Sequence, residues 1–369
     1  MNADTPARAG SAEAPADPDA AAADAAGLET SGLEPAPPEE REEPLLRRLL
    51  RANTVWIFLV LVVLVAAFSA LRPGQFATPF NVRNIAIDAA GLLVISVGMT
   101  FVIITSGIDL SVGSVLVFSA VVAAKVMRAV DASPTGSWGQ IALGFVACLL
   151  AGLAWGLLNG FLITKGRIPP LIVTLGTLGM ALGAAQLLTS GVDVRGIPIK
   201  LTLTIGIGEA FGTIPWIVLV AAVVTALGAV TLYATRFGRY TIAIGSNAEA
   251  ARRVGINVDR HLTKVYALSG LLAGLAGFLS LALCSTTTIA GHSTDNLQAI
   301  AAVVIGGTSL FGGIGTVLGT VAGVFIPAVL ANGFIILGVQ PFWQSVAVGA
   351  VLIAAVYVDQ LKRRSRERE

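Results

Sequence analysis

About ten segments of this sequence, near residues 54–71, 85–105, 110–130, 139–163, 171–189, 215–235, 265–284, 297–310, 316–337 and 342–358, are predominantly apolar and meet or approach 20 residues in length. A helix of about 20 apolar residues is what a bilayer's hydrocarbon requires of a span. Backbone N–H and C=O groups find no water there, so each span must satisfy them internally, as an α-helix does. The expected fold is therefore all-α: a polytopic membrane helical bundle of about ten transmembrane helices. The eighth segment is short, and the breaks at 106–109 and 311–315 span only a few residues, as a re-entrant kink would. With 55% hydrophobic residues, 12% charged residues and a mean hydropathy of +0.82, a soluble globular protein is excluded.

Charge sets the expected orientation. If the N-terminus is inside, the inner side gathers Arg47, Arg48, Arg51, Lys165, Arg167, Arg236, Arg239, Arg252, Arg253, Arg260, Lys264, Lys362, Arg363, Arg364, Arg366 and Arg368, and the outer side only Arg72, Arg83, Lys125, Arg128, Arg195 and Lys200. Cationic residues are retained on the cytoplasmic side, so both termini are expected to be cytoplasmic, which needs an even number of spans. Residues 1–44 hold 11 of the 22 acidic residues with only Arg8 and Arg41 as bases, and are rich in Ala and Pro. Such a segment buries too little apolar surface to offset its ordering entropy and reads as a disordered acidic cytoplasmic tail. The first apolar run begins near Val55, too deep for a secretory signal. The membrane domain is then 45–369.

Glycine accounts for 41 of the 369 residues, much of it inside spans, where small residues let helix backbones approach; Gly152 with Gly156 and Gly270 with Gly274 have the spacing for this. Cys148 and Cys284 show no metal-like spacing and read as packing residues.

Between the sixth and seventh spans lies a polar island, Thr235 to Lys264. Ser246 and Glu249 have the spacing of a capping box, Ala248, Ala250 and Ala251 favour helix, Arg252 and Arg253 suit a last turn, and Gly255 stands where a C-terminal cap falls. The island reads as a short bounded helix on the cytoplasmic side.

Asp109, in TSGIDLSVGS, lies between two apolar runs without a nearby base. A charge at bilayer depth costs about 2.5–3.5 kcal/mol on insertion scales, so it is retained for a reason. With Ser111 and Ser114 following, it caps the next helix, lines a solute path at broken-helix ends, or does both. Asn159, Thr174, Thr177, Gln186, Asn332 and Gln344 add uncharged hydrogen-bonding groups to other spans, as glue between helices or as ligands. A path lined by such groups suits a neutral polyhydroxylated solute better than an ion.

No catalytic residue is assigned. Gly307, Thr308 and Ser309 form a G-x-S, but the two histidines, His261 and His292, are expected in water-facing loops on opposite sides, away from a nucleophile at membrane depth. GGTSLFGGIG lacks the G-K-[ST] ending of a phosphate-binding loop. No nucleotide or metal site belonging to this chain is expected, and nucleic acid is not an expected partner.

Five strings in order are similar to the ribose-type sugar permeases of the ABC importer superfamily: GMTFVIITSGIDLSVGSVL (98–116), GLLNGFLITKGRIPPLIVTLGTLGM (156–180), RFGRYTIAIGSNAEAARRVGIN (236–257), LQAIAAVVIGGTSLFGGIGTVLG (297–319) and QPFWQSVAVGAVLIAAVYVD (340–359). The resemblance covers nearly all of residues 55–360. It implies a multi-pass permease subunit of the bacterial plasma membrane, one of a homodimeric or heterodimeric pair. Such a pair joins two cytoplasmic ATPase subunits, which bind ATP and Mg, and receives a monosaccharide from an extracytoplasmic binding protein. The island 235–264 then resembles the coupling segment, with Gly245, Asn247, Glu249, Ala250, Ala251 and Gly255 matching the family string and Ser246 and Arg252 lying among them. Asp109, Ser111, Asn159, Thr174, Thr177 and Gln298 are the candidate path residues. This chain has Asn296 and Gln298 where members often carry two acidic residues, and Ile314 where they often carry arginine. An amino-acid permease of the same architecture is the nearer alternative and a stand-alone secondary transporter the more distant one.

Overall fold

The computed structural model describes residues 53–131, 133, 135–340, and 343, 346, 349, 350, 353 and 357. The acidic tail, Gln344 and most of the tenth expected span lie outside the described residues. Contacts separate residues 1–48 from 49–369, and the described residues all belong to the second unit.

Helices α1 (Asn53–Leu71), α2 (Pro79–Ile104), α3 (Val112–Val130), α4 (Trp138–Thr164) and α5 (Pro170–Thr189) are followed by a connection holding a short helical stretch over residues 199–206, and then by α6 (Trp216–Ala234). Two short helices, α7 (Arg236–Ser246) and α8 (Ala248–Arg253), lead into α9 (Val258–Cys284), α10 (Asp295–Ile305) and α11 (Val317–Ile336). Seven of these, α2 to α6 with α9 and α11, are long and apolar enough to cross a membrane. Nine of the ten expected segments thus fall on helices, but α1 and α10 are shorter apolar helices, and α10 has 11 residues. At 1.5 Å per residue α10 reaches only about 16 Å, so the backbone after it is not helical where the sequence ran on apolar to residue 310.

Local chemistry starts these helices. Thr78 accepts from Asn81 N (3.2 Å) with Pro79 in the first turn, Ser137 and Gln140 form a reciprocal capping box, and Thr316 accepts from Gly319 N (3.0 Å). One departure from an all-α chain is a two-residue antiparallel ladder between α5 and α6, β1 (Glu209–Ala210) with β2 (Ile214–Pro215). Phe211 and Gly212, at φ 54° and 74°, close its turn.

Helix α9 runs through the middle, and α4 lies along it on the glycines that the sequence singled out. A Cβ at Gly156 would meet Ala267 Cα at 3.0 Å and Gly270 Cα at 3.1 Å, and one at Gly274 would meet Cys148 O at 2.6 Å. Without side chains there, the backbones touch, and dispersion contacts replace a hydrophobic effect that lipid cannot supply. Two faces result. At one, Asn81 and Asn332 exchange amide hydrogen bonds (2.8 and 2.9 Å) and Thr286 and Thr287 bond Val194. At the other, the Thr164 and Thr263 hydroxyls meet (3.3 Å), and the island joins the ends of α2 and α10.

Candidate functional site

The island keeps its expected shape with its cap one residue further on. Helix α7 continues through Ser246, so the cap of α8 is Asn247, whose Oδ1 accepts from Ala250 N at 2.9 Å. The S-x-x-E reading is corrected accordingly: Glu249 instead faces Arg253 across an exposed turn at 3.6 Å. Such a pair contributes about 0.3–0.5 kcal/mol. At the other end Gly255 N–H donates to Arg252 O and Ile256 N–H to Ala251 O, both at 3.0 Å, with Gly255 at φ 86°. This is a Schellman motif. Ala251 packs in an apolar cluster with Ile244 and Val258, against which Ile256 also rests. Gly245, Ser246, Asn247, Glu249, Ala250, Ala251, Arg252 and Gly255 therefore form one continuous element.

That element is seated against two irregular segments. Gly245 lies so close to Ile104 O that a Cβ there would also stand 2.6 Å from Gly313 N. Gly313 N–H donates to Ile104 O (2.9 Å), and Ser106 Oγ donates to Phe311 O (2.8 Å), with Gly245 O at 3.4 Å. The island is thus joined at backbone level to the α2–α3 break and to the loop after α10.

Asp109 sits in that α2–α3 break. Its Oδ1 accepts from Ser111 N (3.0 Å) and Ser111 Oγ (2.6 Å), and its Oδ2 from Ser269 Oγ (2.9 Å) on α9. Helix α3 begins at Val112, and its cap Ser111 makes no side-chain capping bond, so Asp109 fixes the turn before the helix rather than capping it. The chain of bonds continues: Asn159 donates to Ser111 Oγ (2.9 Å), Thr177 to Asn159 Oδ1 (2.7 Å) and Thr174 to Ile108 O (3.2 Å). Asp109, Ser111, Asn159, Thr174 and Thr177 are each at most 1% exposed. The structure gathers five of the six candidate path residues into one sealed network tying α3, α4, α5 and α9. Gln298 is apart from it, bonded to Thr294 Oγ1 (3.2 Å).

Gln298 lines a cavity of about 580 Å³ at the face opposite the island, enclosed by the first half of α2, the last turns of α9, the start of α10 and the last half of α11. Asp88 enters it from α2, Ser280 from α9, His292 from the α9–α10 turn, Asp295 from the start of α10, and Asn332 from α11. His292 does not hang in an open loop: its Nδ1 meets Asp295 Oδ2 and its Nε2 meets Ser280 Oγ, both at 2.7 Å. His261 is buried in α9, with Nε2 against Thr241 Oγ1 (2.9 Å). Among the described residues Lys and Arg are missing from the cavity lining, and the sequence has none between Val265 and Leu361. Asp88, Ser280 and the His292–Asp295 pair escaped the sequence reading because they lie in three separate segments; the missing cations were the one signal legible in the order of residues.

Long apolar helices, a cavity with a few polar groups at one face and a capped arm seated on broken helix ends at the other define a multi-pass membrane protein of the transport class. Residues 81–356 match the family described as branched-chain amino acid transport system / permease component, and the chain belongs to that family. It is 41% identical over 309 residues to the ribose import permease protein RbsC of Bacillus subtilis (strain 168), covering 83% of this chain and 92% of that one. It is 34% identical over 322 residues to the galactose/methyl galactoside import permease protein MglC of Escherichia coli (strain K12), covering 83% and 94%. With the probable ABC transporter permease protein y4mJ of Sinorhizobium fredii (strain NBRC 101917 / NGR234) the identity is 36% over 313 residues, covering 84% and 88%. No solved structure matches the chain.

Proposed function

We propose that this chain is the transmembrane permease subunit of an ATP-binding cassette importer in the bacterial inner membrane, moving a monosaccharide into the cytoplasm. The cargo class is a ribose-like pentose, a hexose or a related polyol. The observation that carries the sugar reading is the cavity's donor and acceptor set: carboxylates, an imidazole, amides and hydroxyls, with no Lys or Arg among the described lining residues. A zwitterionic amino acid brings a carboxylate that needs a cationic partner, whereas a sugar brings hydroxyls that donate to Asp and Gln oxygens. The names of the ribose and galactose permeases support the same choice.

In this reading the span count is ten, both termini are cytoplasmic, and the cavity opens outward where a sugar-binding protein docks. Two cytoplasmic ATPase subunits carry ATP and Mg; this chain binds neither. A second permease subunit completes the path. Residues 235–264 dock on the ATPase, and Gly245 passes its displacement to Ile104 and Gly313, and so to the α2–α3 break that Asp109 holds, as alternating access requires. The test is uptake into proteoliposomes carrying the whole complex, with labelled ribose, galactose and leucine. Sugar uptake that depends on internal ATP is the expected result; leucine uptake without sugar uptake, or sugar uptake by the permease chain alone, would overturn the reading.

A further inference from the structure

We propose that the cavity between α2, α9, α10 and α11 is itself a binding station for one neutral saccharide, held by Asp88 and by the Asp295–His292 pair. This rests on the sugar-import reading and adds to it a solute site within the permease. At about 30 Å³ per water, 580 Å³ holds about twenty waters, room for a monosaccharide ring with part of its hydration. The volume is that of a small-molecule pocket.

The chemistry is set by what each group has left to offer. Asn332 is committed to Asn81 through two hydrogen bonds, so it shapes the wall. His292 is held at both nitrogens, by Asp295 Oδ2 and by Ser280 Oγ, which fixes the Asp295 carboxylate and turns its other oxygen free to accept. Gln298 donates to Thr294 and keeps its amide oxygen. Asp88 is a carboxylate of α2 facing the same space. The station is therefore rich in acceptors and suited to a ligand rich in donors, the property of adjacent sugar hydroxyls. Leu92, Leu279, Leu283 and Ile335 supply apolar wall for the C–H faces of a ring. Two carboxylates without Lys or Arg repel an anion, which separates a sugar from a sugar acid or a sugar phosphate.

The chain carries its own reporter. Cys284 lines the cavity and is exposed, whereas Cys148 is buried and bonds Gly274 O (3.1 Å). Alkylation of Cys284 by N-ethylmaleimide, followed by mass spectrometry on the purified full-length chain, reads occupancy directly. Ribose or galactose at about twice its Kd should slow labelling about threefold, since the free fraction is 1/(1 + [L]/Kd). Gluconate and leucine should leave the rate unchanged, and Asp88→Asn and Asp295→Asn should abolish protection by sugar. Unslowed labelling at about 100 mM sugar, enough to fill even a site of about 10 mM Kd, would overturn the station. So would equal protection by gluconate, or protection that survives in both variants. ATP-driven sugar uptake by the complex without protection sinks the station alone; protection without uptake of any sugar sinks the import reading and leaves the station standing.

Discussion

Replacing Asp109 tests whether its network is a lock or a dispensable polar spot. Alanine removes the acceptor of three donors: Ser111 N–H, Ser111 Oγ–H and Ser269 Oγ–H. A buried backbone donor left unpaired costs about 1–3 kcal/mol, and each hydroxyl, which can turn to a nearby carbonyl, about 0.6 kcal/mol by analogy with measured interhelical bonds. The loss is about 2–4 kcal/mol, before any slackening of the Asn159 and Thr177 bonds that continue from Ser111. At about 2 °C per kcal/mol, the low end of the scale and suited to a long chain, Tm falls by about 4–8 °C. Asparagine keeps one oxygen for Ser111 and presents an amide N–H to Ser269 Oγ. What it loses in charge assistance is offset by not burying a carboxylate, so its shift should stay within about 2 °C. The assay is thermal unfolding of the detergent-purified chain, with Ser269→Ala and the double variant closing a cycle. In the lock, the two alanine losses are less than additive because they share one bond. If Asp109→Ala melts with wild type, or Asp109→Asn falls as far as Asp109→Ala, the reasoning is refuted.

Other outcomes follow from single contacts. Gly270→Leu places a Cβ 2.7 Å from Gly156 N and Cα, so α4 and α9 separate and the protein is expected to lose its monodisperse peak in size-exclusion chromatography. Gly255→Ala places a Cβ with nothing within 4 Å and pays for φ 86°, about 1–2 kcal/mol; it should weaken recovery of the ATPase in a pull-down while membrane insertion stays intact. Tyr266→Phe removes a buried hydroxyl that has no hydrogen-bond partner, and should leave Tm unchanged or raise it by about 2 °C.

Seven of the ten expected spans were legible because length and apolarity suffice to define them, and the α4–α9 seam because Gly152, Gly156, Gly270 and Gly274 carry the small-residue spacing. The island was legible to within one residue. Ser246 and Asn247 are both good caps, and the choice between them rests on α7 continuing through Ser246 while Gly245 lies against Ile104, a contact between residues far apart in the chain. The same distance hid the cavity. Asp88, Ser280, Asp295 and Asn332 come from four helices, and no spacing rule links them. Asp109 was visible as an anomaly, but its acceptor role depends on Ser269, 160 residues away.

The loop after α10 lies where an apolar segment was expected, so its backbone groups must be satisfied by protein. Gly306, Gly307 and Thr308 N–H groups return to α10, Ser309 donates to Ile314 O, Gly312 to Ser309 O and Gly313 to Ile104 O. Ser106 completes the join through Phe311 O, and does so at φ 60°, a left-handed conformation that costs a non-glycine residue about 1–2 kcal/mol. Two substitutions divide these contributions. Ser106→Ala loses the hydroxyl and keeps the strain. Ser106→Gly loses the same hydroxyl but relieves the strain, against about 0.5–1 kcal/mol of added chain entropy in the unfolded state. Glycine should therefore be the more stable variant by about 0.5–1 kcal/mol, while both variants speed amide exchange at Gly312 and Gly313, because the hydroxyl that pins the loop is gone from each. An alanine variant as stable as the glycine variant would remove the strain argument, and unchanged exchange in both would show that the loop is held without Ser106.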